Sequence, residues 1–68
     1  MDHVYKSIEL TGSSESSVND AIRTAIAKAS KSLHNLRWFE VMQVRGNIEN
    51  AGVSHYQVTL KVGFTLDE

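Results

Sequence analysis

The sequence predicts an α+β fold: a single β-α-β-β domain with a three-stranded antiparallel-type sheet and one helix against it. Three observations predict it. The chain has only 68 residues, enough for one domain. An apolar stripe at helical spacing fills its first half, at Val18, Ala21, Ile22, Ala25, Ile26, Ala29 and Leu33. The C-terminal stretch alternates, with Tyr56, Val58, Leu60, Val62, Phe64 and Leu66 on one face. Val53, His55, Gln57, Thr59, Lys61, Gly63 and Thr65 share the other.

The elements follow in order. His3 to Thr11 reads as a first strand, Val4, Ile8 and Leu10 sharing a parity that Lys6 interrupts. Gly12-Ser13-Ser14 then reads as a break. A helix is expected from about Glu15 to Leu33, capped by Ser14, with Ser16 and Ser17 as alternatives. Glu15 and Asp20 lie early and Lys28 and Lys31 late, which suits the helix dipole. Asn35 is a candidate C-cap. Trp38 to Ile48 reads as a second strand and Val53 to Leu66 as a third, with Asn47, Asn50 and Gly52 marking the turn region. A right-handed crossover leaves the first and second strands parallel, and the third fits between them, antiparallel to both. The helix covers one face of this sheet. The other face stays open and calls for a second layer, most simply another copy of the chain.

Size and composition narrow the function. A chain this short buries only roughly 60% of the surface its unfolded form exposes, and such a core supplies about 3–5 kcal/mol. There is no cysteine, and the three histidines, His3, His34 and His55, are widely spaced. Disulfides and thiolate zinc sites are therefore excluded, and oligomerisation is the remaining remedy. The net charge of −1 argues against a general nucleic-acid binder. No apolar run reaches membrane-spanning length, and the N-terminus lacks the pattern of a secretory signal; a soluble cytoplasmic protein is the expectation.

Two residues carry the chemistry. Trp38, the only tryptophan, stands where the helical pattern gives way to the strand pattern. Gln57 is an amide on the less apolar face of the third strand. An indole offers a stacking face, and an amide donates and accepts at a ring edge; together they suit a flat heteroaromatic ligand. The bland alternatives are an indole anchoring a helix–strand junction and a solvated amide.

Leu36-Arg37-Trp38-Phe39-Glu40-Val41, Val44-Arg45-Gly46 and His55-Tyr56-Gln57-Val58-Thr59-Leu60-Lys61-Val62-Gly63-Phe64 resemble the dodecin family in its bacterial form, and the likeness covers nearly the whole chain. The resemblance implies a sheet wrapped partly around the helix and a hollow homododecamer. It implies storage of flavin (FMN, riboflavin or FAD), with isoalloxazine rings bound in pairs between tryptophans of symmetry-related subunits and their photochemistry quenched. By the same resemblance Trp38 is the stacking platform and Gln57 bonds the polar edge of the ring. Arg45, which shares strand parity with Phe39, Val41 and Gln43, contacts ring or phosphate; its alternative is an intersubunit ion pair with an acid such as Glu40. Arg37, Tyr5 and His3 are further candidates for the flavin side chain and phosphate. Thr65 stands where many bacterial members carry arginine, a departure that lets riboflavin or lumichrome compete with the phosphorylated form. Lys6, Lys28 and Ser32 resemble a patch on which some members hold coenzyme A.

Other functions fit less well. Small homo-oligomeric tautomerases need an N-terminal proline, and the chain has none. Neither a Ser-His-Asp arrangement nor paired carboxylates stand out. A nucleic-acid module wants aromatics among basic residues on one sheet face, and the third strand offers none on its outer side. A structural shell without ligand is the remaining alternative.

Overall fold

The computed structural model describes residues 3–66. Four elements follow in the expected order: β1 (Tyr5–Ser14), α1 (Val18–Ala29), β2 (Leu36–Glu49) and β3 (Gly52–Thr65). The sheet order is β1-β3-β2, with β3 antiparallel to both neighbours, as the crossover argument requires. Among the described residues no helix is long and apolar enough to cross a membrane.

β1 runs on through Gly12-Ser13-Ser14, where the sequence suggested a break. The glycine serves a close approach. A Cβ on Gly12 would run into the carbonyl oxygen of Ala21 and lie 2.9 Å from the Ala25 Cβ. Three alanines, Ala21, Ala25 and Ala29, form the buried edge of α1, and their small size lets the helix settle this low on β1. The corner into the helix is held by Ser14, whose Oγ accepts from the N–H of Ser16 at 3.0 Å and of Ser17 at 3.3 Å. It donates in turn to Asp20 Oδ2 at 2.8 Å. The N-cap is Ser17, extended at φ −166, accepting from the Asp20 N–H at 2.9 Å.

The helix stops at Ala29 with Ser30 as C-cap, short of the expected Leu33. The Ser30 hydroxyl donates to the Ala27 carbonyl at 2.8 Å, a local bond of the kind that competes with helix propagation. Asn35 has φ 63, but its place is the entry to β2, where its carbonyl accepts from the Thr65 N–H at 3.1 Å. The β2–β3 turn is tight, with Asn50 at φ 52 and Ala51 at φ 64 between the paired Glu49 and Gly52. Two left-handed residues in a two-residue loop match the twist of the flanking strands.

The core comprises Ala21, Ala25, Val58, Leu60 and Val62, flanked by Leu10, Val18, Ile22, Ile26 and Leu36. The helix sits over β1 and β3, while β2 past Leu36 is exposed along its whole length. Val41, Met42, Val44 and Ile48 on that strand stand open to solvent, Ile48 at 77%. The molecule measures 53 × 20 × 13 Å, and its radius of gyration is 14.1 Å. A compact chain of this length has about 11 Å. Its accessible surface is 5003 Å², where a monomer of this mass exposes about 4300 Å². The exposed apolar residues of β2 are part of that open surface.

Candidate functional site

The pairing register decides which side chains meet. β2 pairs with β3 through three interruptions that leave Arg37, Met42 and Ser54 unpaired, and each unpaired residue reverses the alternation beyond it. Trp38 opposes Gly63, Glu40 opposes Lys61, Gln43 opposes Thr59 and Arg45 opposes Gln57, all on the face away from the helix. Phe39 and Val41 oppose Val62 and Leu60 and point to the helix side. The shared parity of Arg45 with Phe39 and Val41 is therefore corrected: the bulge at Met42 turns Arg45 onto the face of Trp38. Val53 moves the other way. The bulge at Ser54 pairs it with Ile48, and both line an apolar depression with Val18, Val44 and Tyr56.

Trp38 is 41% exposed, and its indole lies across its cross-strand partner, Gly63. A Cβ on Gly63 would overlap the indole Cε2, Cζ2 and Nε1 atoms. Gly63 is thus part of the site, as the bare floor on which the ring lies. Sequence reasoning placed it on the outer face without giving it this role; the signal was a glycine inside an otherwise β-branched strand. Around the same end, Leu36, Phe39, Ile26 and Val62 join Arg37 and Trp38 in lining a shallow depression of about 180 Å³.

Two further pairs form on the outer face. Arg45 Nε donates to Gln57 Oε1 at 2.8 Å. That bond gives the Gln57 amide a fixed orientation, with its NH₂ the group left to donate elsewhere. Arg37 Nε donates to Thr65 Oγ1 at 2.9 Å, and Tyr5 lies across the strand from Thr65. The Tyr5 ring meets His3 edge to face, their centroids 6.4 Å apart. Arg37, Trp38, Tyr5, His3 and Thr65 therefore gather at one end of the sheet, and Arg45 with Gln57 at the other. Gln57 is six residues from Gly63 along β3, roughly 20 Å at the rise of a strand. A backbone separation of that size exceeds the length of a tricyclic ring.

Lys6, Lys28 and Ser32 are all exposed. Lys28 lines a depression of about 500 Å³ with Leu10, Thr11, Ser13 and Thr24; Lys6 and Ser32 do not line it. Among the described residues no group of three or more His, Asp or Glu is placed to hold a metal ion.

Comparison with known proteins gives this arrangement a family. A family model for dodecin matches residues 4–67. A dodecin from Thermus thermophilus is 53% identical over 68 residues, covering 100% of this chain and 99% of that protein. The structure of dodecin from Streptomyces davaonensis superposes with a TM-score of 0.95 at 48% identity, covering 100% of both chains. A calcium dodecin from Mycobacterium tuberculosis, with a calcium-binding site of its own, matches with a TM-score of 0.82 at 30% identity, over 94% of this chain and 91% of that one. With its strand order, its exposed indole and its agreement with these proteins over the full length, the chain belongs to the dodecin family.

Proposed function

We propose that the chain is a flavin-binding storage protein that works as a homododecamer in the cytoplasm and catalyses no reaction of its own. The observation that carries this reading is the Trp38 indole, held against Gly63 on a sheet face that no described residue outside the sheet covers. A large aromatic surface laid flat and left open is poorly explained by packing within one copy. It is well suited to stack an electron-poor tricycle, and a second indole, from a neighbouring copy, suits a second ring in the same aperture.

The separation of roughly 20 Å along β3 supports a shared pocket. One copy contributes Trp38 and a neighbour contributes Gln57 and Arg45. Gln57, oriented by Arg45, donates from its amide to a carbonyl or ring nitrogen at the flavin's polar edge. FMN, riboflavin and FAD all carry that edge. An indole in contact with a photoexcited flavin returns it to the ground state by electron transfer, so bound flavin is dark and photochemically quiet. Such a protein buffers free flavin. The exposed apolar residues of β2 support burial between copies, where the pocket is completed.

The test is a titration of riboflavin emission with protein, repeated with Trp38→Ala. Emission should fall almost fully on binding to the parent chain. The variant should lose about 1–3 kcal/mol of affinity, the range measured for aromatic stacking on bases. Equal affinity in parent and variant removes the indole from the site, and full emission from a bound complex removes the ring from the indole.

A further inference from the structure

We infer that Ser13 is a specificity-determining residue of the site, its hydroxyl accepting from the ring N–H at the polar edge of a bound flavin; this rests on the flavin reading above. β1 continues through Gly12-Ser13-Ser14, and that continuation sets Ser13 directly across from Gln57. Gln57 in turn opposes Arg45 on β2. One rung of the sheet therefore carries a hydroxyl, an amide and a guanidinium side by side on the outer face, neighbours roughly 5 Å apart. The backbone beneath the hydroxyl is held at both ends. Gly12 is buried so close to the helix that a Cβ there would lie 2.9 Å from the Ala25 Cβ. Ser14 is buried too, accepting from the N–H groups of Ser16 and Ser17 and donating to Asp20. Ser13 between them is exposed, and its hydroxyl bonds to no other described residue. The outer-face hydroxyls of the next rung differ: Thr11 and Thr59 bond to each other at 2.9 Å.

The chemistry of the rung calls for that hydroxyl. The polar edge of an isoalloxazine carries a carbonyl, an N–H and a second carbonyl in sequence. The Gln57 oxygen is turned to Arg45, whose Nε donates to it at 2.8 Å, so the amide meets the ligand with its NH₂ and suits a carbonyl. The N–H beside that carbonyl then needs an acceptor, and burying it without one costs affinity. Arg45 has donors only. Ser13, on the other side of Gln57, has two lone pairs and a fixed backbone. Beside it a depression of about 300 Å³, lined by Ser13, Ser14, Glu15 and His55, leaves room for the edge of a ring. Glu15 and His55 also carry acceptors, but both lie off the rung, His55 two residues from Gln57, roughly 7 Å along the strand. A strand ending at Thr11, as the sequence suggested, would place no hydroxyl beside the amide.

The test compares riboflavin with 3-methylriboflavin, in which a methyl replaces the hydrogen of that N–H, by fluorescence titration of the assembled protein. The parent chain should prefer riboflavin roughly tenfold, the size of one hydrogen bond lost on a buried donor site. Ser13→Ala should weaken riboflavin severalfold and leave the methylated ring unaffected, bringing the ratio to about one. Ser13→Thr keeps the hydroxyl and should restore the preference. A general loss of fold or assembly would weaken both flavins alike, so the ratio reads the hydroxyl and not stability. Glu15→Ala and His55→Ala should keep the parent's ratio. Equal affinity of the parent for the two flavins overturns the role of Ser13 while leaving flavin binding intact. So does a Ser13→Ala ratio equal to the parent's, or a ratio abolished by Glu15→Ala or His55→Ala alone. Failure of the parent to bind either flavin sinks the flavin reading and this role with it.

Discussion

Replacing Gly63 by alanine tests the platform without touching the indole itself. The added methyl would overlap Cε2, Cζ2 and Nε1 of Trp38. Restoring van der Waals separation requires the ring to rise or swing by roughly 1–2 Å. The backbone of β3 has no reason to object, because Gly63 is not among the residues with positive φ. In a strand interior alanine is the better residue by roughly 0.5–1 kcal/mol. The lost contact between indole and backbone offsets that gain, so the melting free energy of Gly63→Ala should stay within about 1 kcal/mol of the parent. Affinity for flavin should behave differently. A ring lifted by that amount leaves its stacking position, and the loss should approach that of Trp38→Ala, about 1–3 kcal/mol. The two substitutions act on one contact, so they should be non-additive. Measured by fluorescence titration, Gly63→Ala in a Trp38→Ala background should cost almost nothing further. Full additivity, or parent-like affinity in Gly63→Ala alone, would show that the indole resting on Gly63 is not the surface that meets the ligand.

Gly12→Ala should destabilise the fold by about 1–3 kcal/mol, since its methyl meets the Ala21 carbonyl and the Ala25 Cβ; a chemical melt reads this, and a neutral result would mean the helix can lift freely from β1. Ala51→Gly should stabilise by about 0.5–1 kcal/mol, because Ala51 holds φ 64, a conformation that costs a residue with a Cβ, and glycine's extra unfolded-state freedom returns only part of the gain. Ser17→Ala should cost about 1 kcal/mol through loss of the bond from the Asp20 N–H. The midpoint of thermal unfolding should rise with protein concentration, since folding and association are coupled; a constant midpoint with a monomeric sedimentation mass would contradict the shared pocket.

Period and parity were enough to read the order of elements, the central position of β3 and the buried trio Val58, Leu60 and Val62. They failed where the structure departs from regular geometry. Gly12 looked like punctuation because a glycine tolerated for close contact and a glycine needed for a turn are the same letter. Ser14 was the expected cap, with Ser16 and Ser17 as alternatives, but the helix begins at Val18 and the Asp20 N–H makes Ser17 the cap. In the candidate site, the chemistry of Trp38 and Gln57 was enough to single them out as candidates. The link between Arg45 and Gln57 was not, because simple counting assigns Arg45 to the face of Phe39. A bulge has no side-chain signature at Met42, and one unpaired residue is enough to move everything after it.

That bulge constrains how the chain can change. Trp38 and Arg45 are seven positions apart, an odd interval that on a regular strand would send them to opposite sides. Met42 absorbs the odd step. Deleting Met42 itself would straighten β2 and leave an even interval that keeps Arg45 opposite Gln57, whereas deleting a paired neighbour with the bulge kept would swing Arg45 to the other face. Insertions or deletions between these two residues are therefore tolerable only in pairs, or together with loss of the irregularity. The spacing, rather than any single side chain in between, is what descent must preserve along this stretch.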